Sequence, residues 1–196
     1  MIKNFKLFEN KINYNYKLLI KDNTLVLYND MIDNVLGILN LAQTNNDNDN
    51  VYYVASVGAE KGLGTKLYEY ALMYIYSDFM IPSRDGDVTG EAFNIWKKFY
   101  NRNDIEKIEN SDIFSDNFYF SLITGEDEYL DYSEKKEIIE YWNENDEYSK
   151  NIKELMIFNT KYRKKPNKEY IKLINESNNI NVGNWIFDVD YSTFFK

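Results

Sequence analysis

Cysteine and histidine are both absent from this chain of 196 residues. Their absence excludes disulfides, thiolate nucleophiles, Cys/His zinc sites and a Ser-His-Asp triad, and no metal site is expected. Acid–base chemistry must therefore draw on Asp, Glu, Tyr, Lys, water or the backbone. Proline occurs twice and glycine eight times, so few positions force the chain to break. Positive charge is in deficit, with 23 Lys and Arg against 32 Asp and Glu and a net charge of -9. A nucleic-acid surface needs clustered cations to neutralise phosphates, so nucleic acid is not an expected partner. The one basic cluster, Lys161-Tyr162-Arg163-Lys164-Lys165, reads as a solvated helix end ahead of Pro166. No apolar run approaches membrane-spanning length, and Met1-Ile2-Lys3-Asn4-Phe5 lacks the apolar centre of a secretory leader. The expectation is a soluble, cytoplasmic protein with no membrane partner.

Aromatic residues are abundant. Eighteen Tyr and 12 Phe make ring packing the expected basis of the core. The chain is long enough for one well-packed domain, or one domain with an appendage. Its heavy use of Asn, Lys, Ile and Tyr reads as the coding bias of an AT-rich genome.

The first half alternates short β-type runs with polar turns. Leu18-Leu19-Ile20 and Leu25-Val26-Leu27-Tyr28 flank Lys21-Asp22-Asn23-Thr24, the pattern of a hairpin. Val35 to Ala42 reads as a third strand and Val51 to Val57 as a fourth. The Asn/Asp tract from Thr44 to Asn50 reads as a loop between them. Leu67, Tyr70, Ala71 and Tyr74 recur at helical spacing, which predicts a helix to about Tyr76. Phe79-Met80-Ile81 reads as a short strand ahead of Pro82. Thr89 is placed to cap a second helix from Gly90 to about Tyr100, with Ala92, Trp96, Phe99 and Tyr100 on one face. Tyr132–Tyr148, Ile152–Tyr162 and Lys168–Asn175 read as helices, and Trp185–Val189 as a final strand-like segment. The order predicts an α+β fold with a mixed, mostly antiparallel sheet flanked by helices. Residues 1–124 form its expected core and residues 125–196 a mainly helical extension, packed on that core or separate from it.

The segment from Val51 to Leu72 carries the chemistry. A strand runs into Lys61-Gly62-Leu63-Gly64, and a helix opens at once. Glycines permit a sharp turn and close ligand approach, while the helix start supplies unpaired N–H donors and a positive dipole end. Such a strand–loop–helix suits a phosphate or pyrophosphate. A Rossmann site would need a third glycine in register and a parallel βαβ unit, and Thr65-Lys66-Leu67 supplies no such glycine. A Walker loop would place Lys before Thr, whereas here Lys66 follows Thr65. A bare turn that binds nothing is the remaining reading.

Lys61-Gly62-Leu63-Gly64 with this context resembles the coenzyme-A loop of the GNAT acyltransferases. That family carries Gln or Arg, two residues, Gly, one residue, then Gly or Ala; Gly62 and Gly64 match, and Ala59 stands at the Gln/Arg position. Ser83-Arg84-Asp85-Gly86-Asp87-Val88-Thr89-Gly90-Glu91-Ala92, followed by Trp96, resembles the corresponding segment of small phage-encoded GNAT-like proteins. The resemblance covers about Leu18 to Tyr100.

The resemblance implies an acetyl-CoA-dependent N-acetyltransferase in which an amine attacks the thioester directly. Acetyl-CoA, or coenzyme A, would lie across splayed fourth and fifth strands. Val54, Ser56 and Val57 would hold the pantetheine arm, and Ala59, Glu60, Lys61, Gly62, Leu63, Gly64 and Thr65 the pyrophosphate. The acceptor would be a small amine or a protein lysine. The family's frequent tyrosine acid falls on Trp96, whose indole N–H donates a hydrogen bond but not a proton. Tyr100 lies one turn on, and Ser56 is a polar group on the fourth strand. Asp85, with Asp87, sits in the loop ahead of the second helix, to face an amine or to shape a turn. Arg84 is available to offset Glu60, to reach the 3′-phosphate, or to pair with Asp85 or Asp87. Trp96, Phe99, Tyr70 and Tyr74 also fit plain core packing. The alternative is a catalytically inactive phage protein of this fold. It would use its C-terminal helices to bind a virion component or a host factor, which places it in the host cytoplasm or the virion.

Overall fold

A computed structural model of the chain describes residues 16–31, 33–46, 49–82, 88–109, 131–145, 148–177 and 187. The chain forms one mixed sheet with helices, the expected α+β class. Strand β1 (Lys17–Lys21) turns through Asp22-Asn23 into β2 (Thr24–Asn29), and Asp22 takes the positive φ of 44° that such a tight turn requires. Strands β3 (Asn34–Asn46) and β4 (Asp49–Ala59) follow as a long antiparallel hairpin. Helix α1 (Gly64–Tyr74) leads to β5 (Phe79–Ile81), α2 (Gly90–Tyr100) and β6 (Glu106–Glu109). Then come α3 (Tyr132–Glu144), α4 (Ser149–Phe158), β7 (Thr160–Arg163) and α5 (Lys168–Ser177). The sheet order is β1-β2-β3-β4-β5-β7-β6, with β4 and β5 its parallel pair.

Within the tract from Thr44 to Asn50, the described residues are strand and not loop. The ladder takes them in, with Thr44 opposite Val51, Asn45 opposite Asn50 and Asn46 opposite Asp49. Backbone pairing in a hairpin does not require apolar side chains, and here Gln43 Nε2 also donates across the strands to Asn50 Oδ1 at 2.8 Å. A second correction concerns Ile152–Tyr162. The helix stops at Phe158, where Asn159 caps it by donating from Nδ2 to the Leu155 carbonyl, and the chain enters β7. Thr160 and Tyr162 are fully buried while Lys161 and Arg163 are not, a period of two that overrides the helical reading. The first predicted C-terminal helix ends at Glu144, short of Tyr148. β7 lies between β5 and β6, so residues on both sides of the 124/125 division share the sheet. Of Trp185–Val189 only Phe187 lies among the described residues; it packs near Leu19, Val26 and Ile38.

Alternate sheet residues supply two cores. Leu18, Leu25, Leu27, Leu36 and Leu39 meet α1, while Leu19, Val26, Tyr28, Val35 and Ile38 occupy the other face. Leu67, Tyr70 and Ala71 of α1 are buried, as are Trp96 and Phe99 of α2. α5 is held to α1 by Glu169, which accepts from Tyr70 Oη at 2.9 Å and from Lys66 Nζ at 3.0 Å. α4 docks on α2 through stacked Phe93 and Phe158, centroids 5.0 Å apart.

Gly37 sets how closely β3, β4 and α1 approach. A Cβ there would lie 2.9 Å from both Ala59 Cβ and Leu67 Cδ1. Gly37→Ala is therefore expected to lower stability by about 1–3 kcal/mol through overpacking. Thermal unfolding of Gly37→Ala beside Gly37→Ala/Ala59→Gly checks this. The double variant should recover part of the loss; no recovery would mean that Ala59 is not the obstacle.

Candidate functional site

β4 and β5 pair over only three residues, Val51 with Phe79, Tyr52 with Met80 and Tyr53 with Ile81. Two features part them. On the β3 side, Asn40 pairs with Ser56 and Leu41 with Val54, which leaves Ala55 as an extra residue on β4. A bulge of this kind bends its strand and sharpens the local twist. On the other side β5 meets Pro82, which has no N–H for a ladder. Past Tyr53, the β5-facing edge of β4 therefore has no paired strand among the described residues.

The parting opens a cleft of about 430 Å³. One wall is β4 from Val54 to Ala59, and the other is α2 and its approach, with Val88, Thr89, Glu91, Ala92, Ile95 and Trp96. Gly64 and Tyr68, one turn apart on α1, complete it. The lining is mainly apolar, and Glu91 is its one charged residue among the described residues. Strand peptide groups along an apolar channel suit a long ligand that carries amides on an alkyl chain.

The loop at the wide end is closed by its own backbone. Glu60 N–H donates to the Leu36 carbonyl at 2.8 Å, and Leu63 N–H donates to the Glu60 carbonyl at 3.0 Å. These two amides are thus engaged within the protein and do not join an anion cradle, which narrows the expected Glu60–Thr65 set. Leu63 buries its side chain, 5% exposed, and anchors the loop. Gly62 turns the chain with φ of 89°, a region costly for residues with a Cβ.

Leu63 occupies the N-cap of α1 and supplies no side-chain cap, and the first turn holds no acidic residue. The amides of Gly64, Thr65 and Lys66 begin the helix and lack intrahelical acceptors. α2 and α3 differ: Thr89 Oγ1 accepts from Ala92 N–H at 3.2 Å, and Asp131 with Glu134 forms a reciprocal capping box. Gly64 has no positive φ, and a Cβ there would meet nothing within 4 Å. The fold itself does not demand glycine at this position. Beside Thr65, a second groove of about 840 Å³ is lined by Lys97, Lys98 and Arg102.

The structure gathers Val54, Ser56, Val57, Ala59, Gly64 and Trp96 around one cleft. Ser56 Oγ accepts from Asn40 Nδ2 at 3.4 Å. Trp96 is 2% exposed and packs against Tyr68, Phe99 and Tyr162, so it serves the core as well as the wall. Tyr100 is not brought in: its hydroxyl lies 3.8 Å from Met156 Sδ, and it does not line the cleft. Asp85, with Arg84 and Asp87, falls outside the described residues.

Tyr68 and Glu91 were not singled out from the sequence. Tyr68 is 3% exposed, and its hydroxyl makes no hydrogen bond to a described residue. Burial alone pushes its pKa up to about 12, so it stays protonated near neutrality. The four-residue spacing of Gly64 and Tyr68 was the available signal, because it places both on one helix face.

Away from the cleft, Glu69, Arg102, Asp104 and Lys164 form a charged cluster. Arg102 contacts both Glu69 oxygens at 3.0 Å and Asp104 at 2.6 and 2.8 Å. Lys164 donates to Glu69 and, at 2.6 Å, to Asp104. Lys164 is 5% exposed, which corrects the reading of its cluster as a solvated helix end. Among the described residues, no helix is long and apolar enough to cross a membrane, and no group of acidic residues could hold a metal ion.

Scans against family models, curated proteins and solved structures return no match to this chain.

Proposed function

We propose that the chain is an acetyl-CoA-dependent N-acetyltransferase, with the cleft as its acyl-donor site. The observation that carries this reading is the parting of β4 from β5 at the Ala55 bulge, with the cleft running from there to the uncapped start of α1. Such a cleft matches an acyl-pantetheine arm ending in a pyrophosphate. Six residues of β4 at about 3.3 Å each span roughly the length of an extended arm. Val54, Ser56 and Val57 would offer peptide groups to the pantetheine amides. The N–H groups of Gly64, Thr65 and Lys66 would take the pyrophosphate, with the helix dipole adding to the attraction. Lys97 and Lys98 lie in the adjoining groove, where further phosphate charge would be neutralised.

An amine entering beside Glu91 would attack the thioester carbonyl directly. No acyl-enzyme is needed, in keeping with the absence of cysteine. Glu91 makes no ion pair with a described residue, so its carboxylate is open to an incoming ammonium.

Calorimetric titration tests the reading. Acetyl-CoA is expected to bind saturably with Kd on the order of 10 µM. NADH, which has a pyrophosphate and adenosine but no pantetheine arm, should bind far more weakly. Absence of acetyl-CoA binding at millimolar concentration would overturn the assignment. Equal binding of both ligands would reduce the site to a generic pyrophosphate loop.

A further inference from the structure

Resting on that acyl-transfer reading, we propose that Phe158 is a positioning residue of the donor cleft: its stack on Phe93 sets the distance of the α2 wall from β4. The C-terminal part of the chain, an extension by its sequence, then belongs to the donor site.

α2 carries two stripes with different partners. Glu91, Ala92, Ile95 and Trp96 line the cleft, at the spacing of one helix face. Phe93 and Tyr100 lie two turns apart on another stripe and take no part in the lining. Both meet α4. The rings of Phe93 and Phe158 stack with centroids 5.0 Å apart and 21° between their planes, and Tyr100 Oη lies 3.8 Å from Met156 Sδ. Just beyond α4, Tyr162 of β7 packs against Trp96, centroids 4.9 Å apart. Met156, Phe158 and Tyr162 thus hold α2 at three points along its length.

The α4–β7 corner that supplies these contacts is a fixed support. Thr160 Oγ1 donates to the Met156 carbonyl at 2.6 Å, and Tyr162 Oη to the Ile157 carbonyl at 2.9 Å. Phe158 itself is 7% exposed. The two halves of α2 are held differently. Trp96 and Phe99, 2% and 0% exposed, root the second half in the core. In the first half, which brings Glu91 and Ala92 to the cleft, Phe93 is half-buried and has Phe158 as its ring partner among the described residues. Stacked rings fix separation and tilt, and a close-packed contact transmits any change in either. Loss of the Phe158 ring therefore frees the outer wall beside the pantetheine arm, while the start of α1 stays where β4 holds it.

Phe158→Leu keeps an apolar side chain and removes the stack. Its acetyl-CoA affinity should fall on the order of tenfold, within the range of couplings between packed neighbours. 3′-Phosphoadenosine 5′-diphosphate, which carries the phosphates without the arm, should bind as before. Ile38→Val, in the core on the other face of the sheet, should lower the melting temperature and leave both affinities unchanged. Phe93→Leu removes the same stack from its half-buried side and carries the test if Phe158→Leu does not fold. The double variant Phe93→Leu/Phe158→Leu should bind acetyl-CoA about as well as either single one, because one contact is lost in all three. Unchanged acetyl-CoA affinity in the stack variants, equal weakening of both ligands, an equal loss in Ile38→Val or additive losses in the double variant would overturn the assignment of Phe158. Failure of acetyl-CoA to bind the unmodified protein would instead remove the cleft reading on which it rests.

Discussion

Gly64→Glu is expected to weaken acetyl-CoA binding at least 100-fold while leaving the fold intact. The two effects separate because glycine at this position answers no structural need. Its φ is not positive, and a Cβ would enter open space. Glutamate is a better helix former than glycine, and a carboxylate in the first turn interacts favourably with the helix dipole. Stability should therefore hold or rise slightly. Binding should collapse, because the new carboxylate competes for the amides of Gly64, Thr65 and Lys66 and repels the pyrophosphate. Like charges about 4 Å apart at an effective dielectric of about 20 oppose one another by roughly 4 kcal/mol, more than enough for a 100-fold loss. Calorimetry and a thermal melt on the same sample check both halves. Gly62→Ala should behave in the opposite way, with a stability loss of roughly 1–2 kcal/mol from the left-handed backbone. Unchanged affinity in Gly64→Glu would mean that the anion is held elsewhere.

The β4–α1 junction was legible because its signals are local. Gly62 sits where φ must be positive, and Leu67, Tyr70 and Ala71 set the helix phase within a few residues. Thr89 was legible as a cap for the same reason. Other features depend on distant partners. β7 was hidden in a charged, helix-like run because its alternation appears only once Tyr162 is paired with Met80 and packed against Trp96. The pairing of Thr44–Asn46 with Asp49–Val51 was hidden because polar side chains say nothing against backbone pairing. Tyr68 and Glu91 lie 23 positions apart on separate helices, so no spacing rule joins them; the cleft does. The bulge at Ala55 is a matter of register between β3 and β4 and has no mark of its own in the sequence.

Lys164 is the sharpest case of distance hiding a role, and it leads to the largest expected loss of stability. Its partners Glu69 and Asp104 lie 95 and 60 residues away. Glu69→Gln is expected to destabilise the protein by about 2–3 kcal/mol, or roughly 5–10 °C in melting temperature. The reason is charge accounting. With Glu69 gone, Arg102 and the buried Lys164 share the single carboxylate of Asp104, itself half-exposed. Lys164→Met should cost about 1 kcal/mol or less, since Arg102 still serves both carboxylates and the methionine fills the buried volume. The same accounting sets a pH dependence. Burial pushes Glu69 upward, but hydrogen bonds from Arg102 and Lys164 outweigh it and hold the carboxyl below its ordinary value of 4.5. Asp104 is held well below its ordinary 3.8, chiefly by Arg102 and then by Lys164. Carboxyls depressed in the folded state stabilise it fully above their unfolded values and lose that contribution as pH falls through the folded ones. Melting temperature should therefore drop as pH falls below about 4.5, and less steeply in Glu69→Gln, which has one fewer carboxylate to protonate. Equal acid sensitivity in both proteins would show that the cluster does not govern the acid limb.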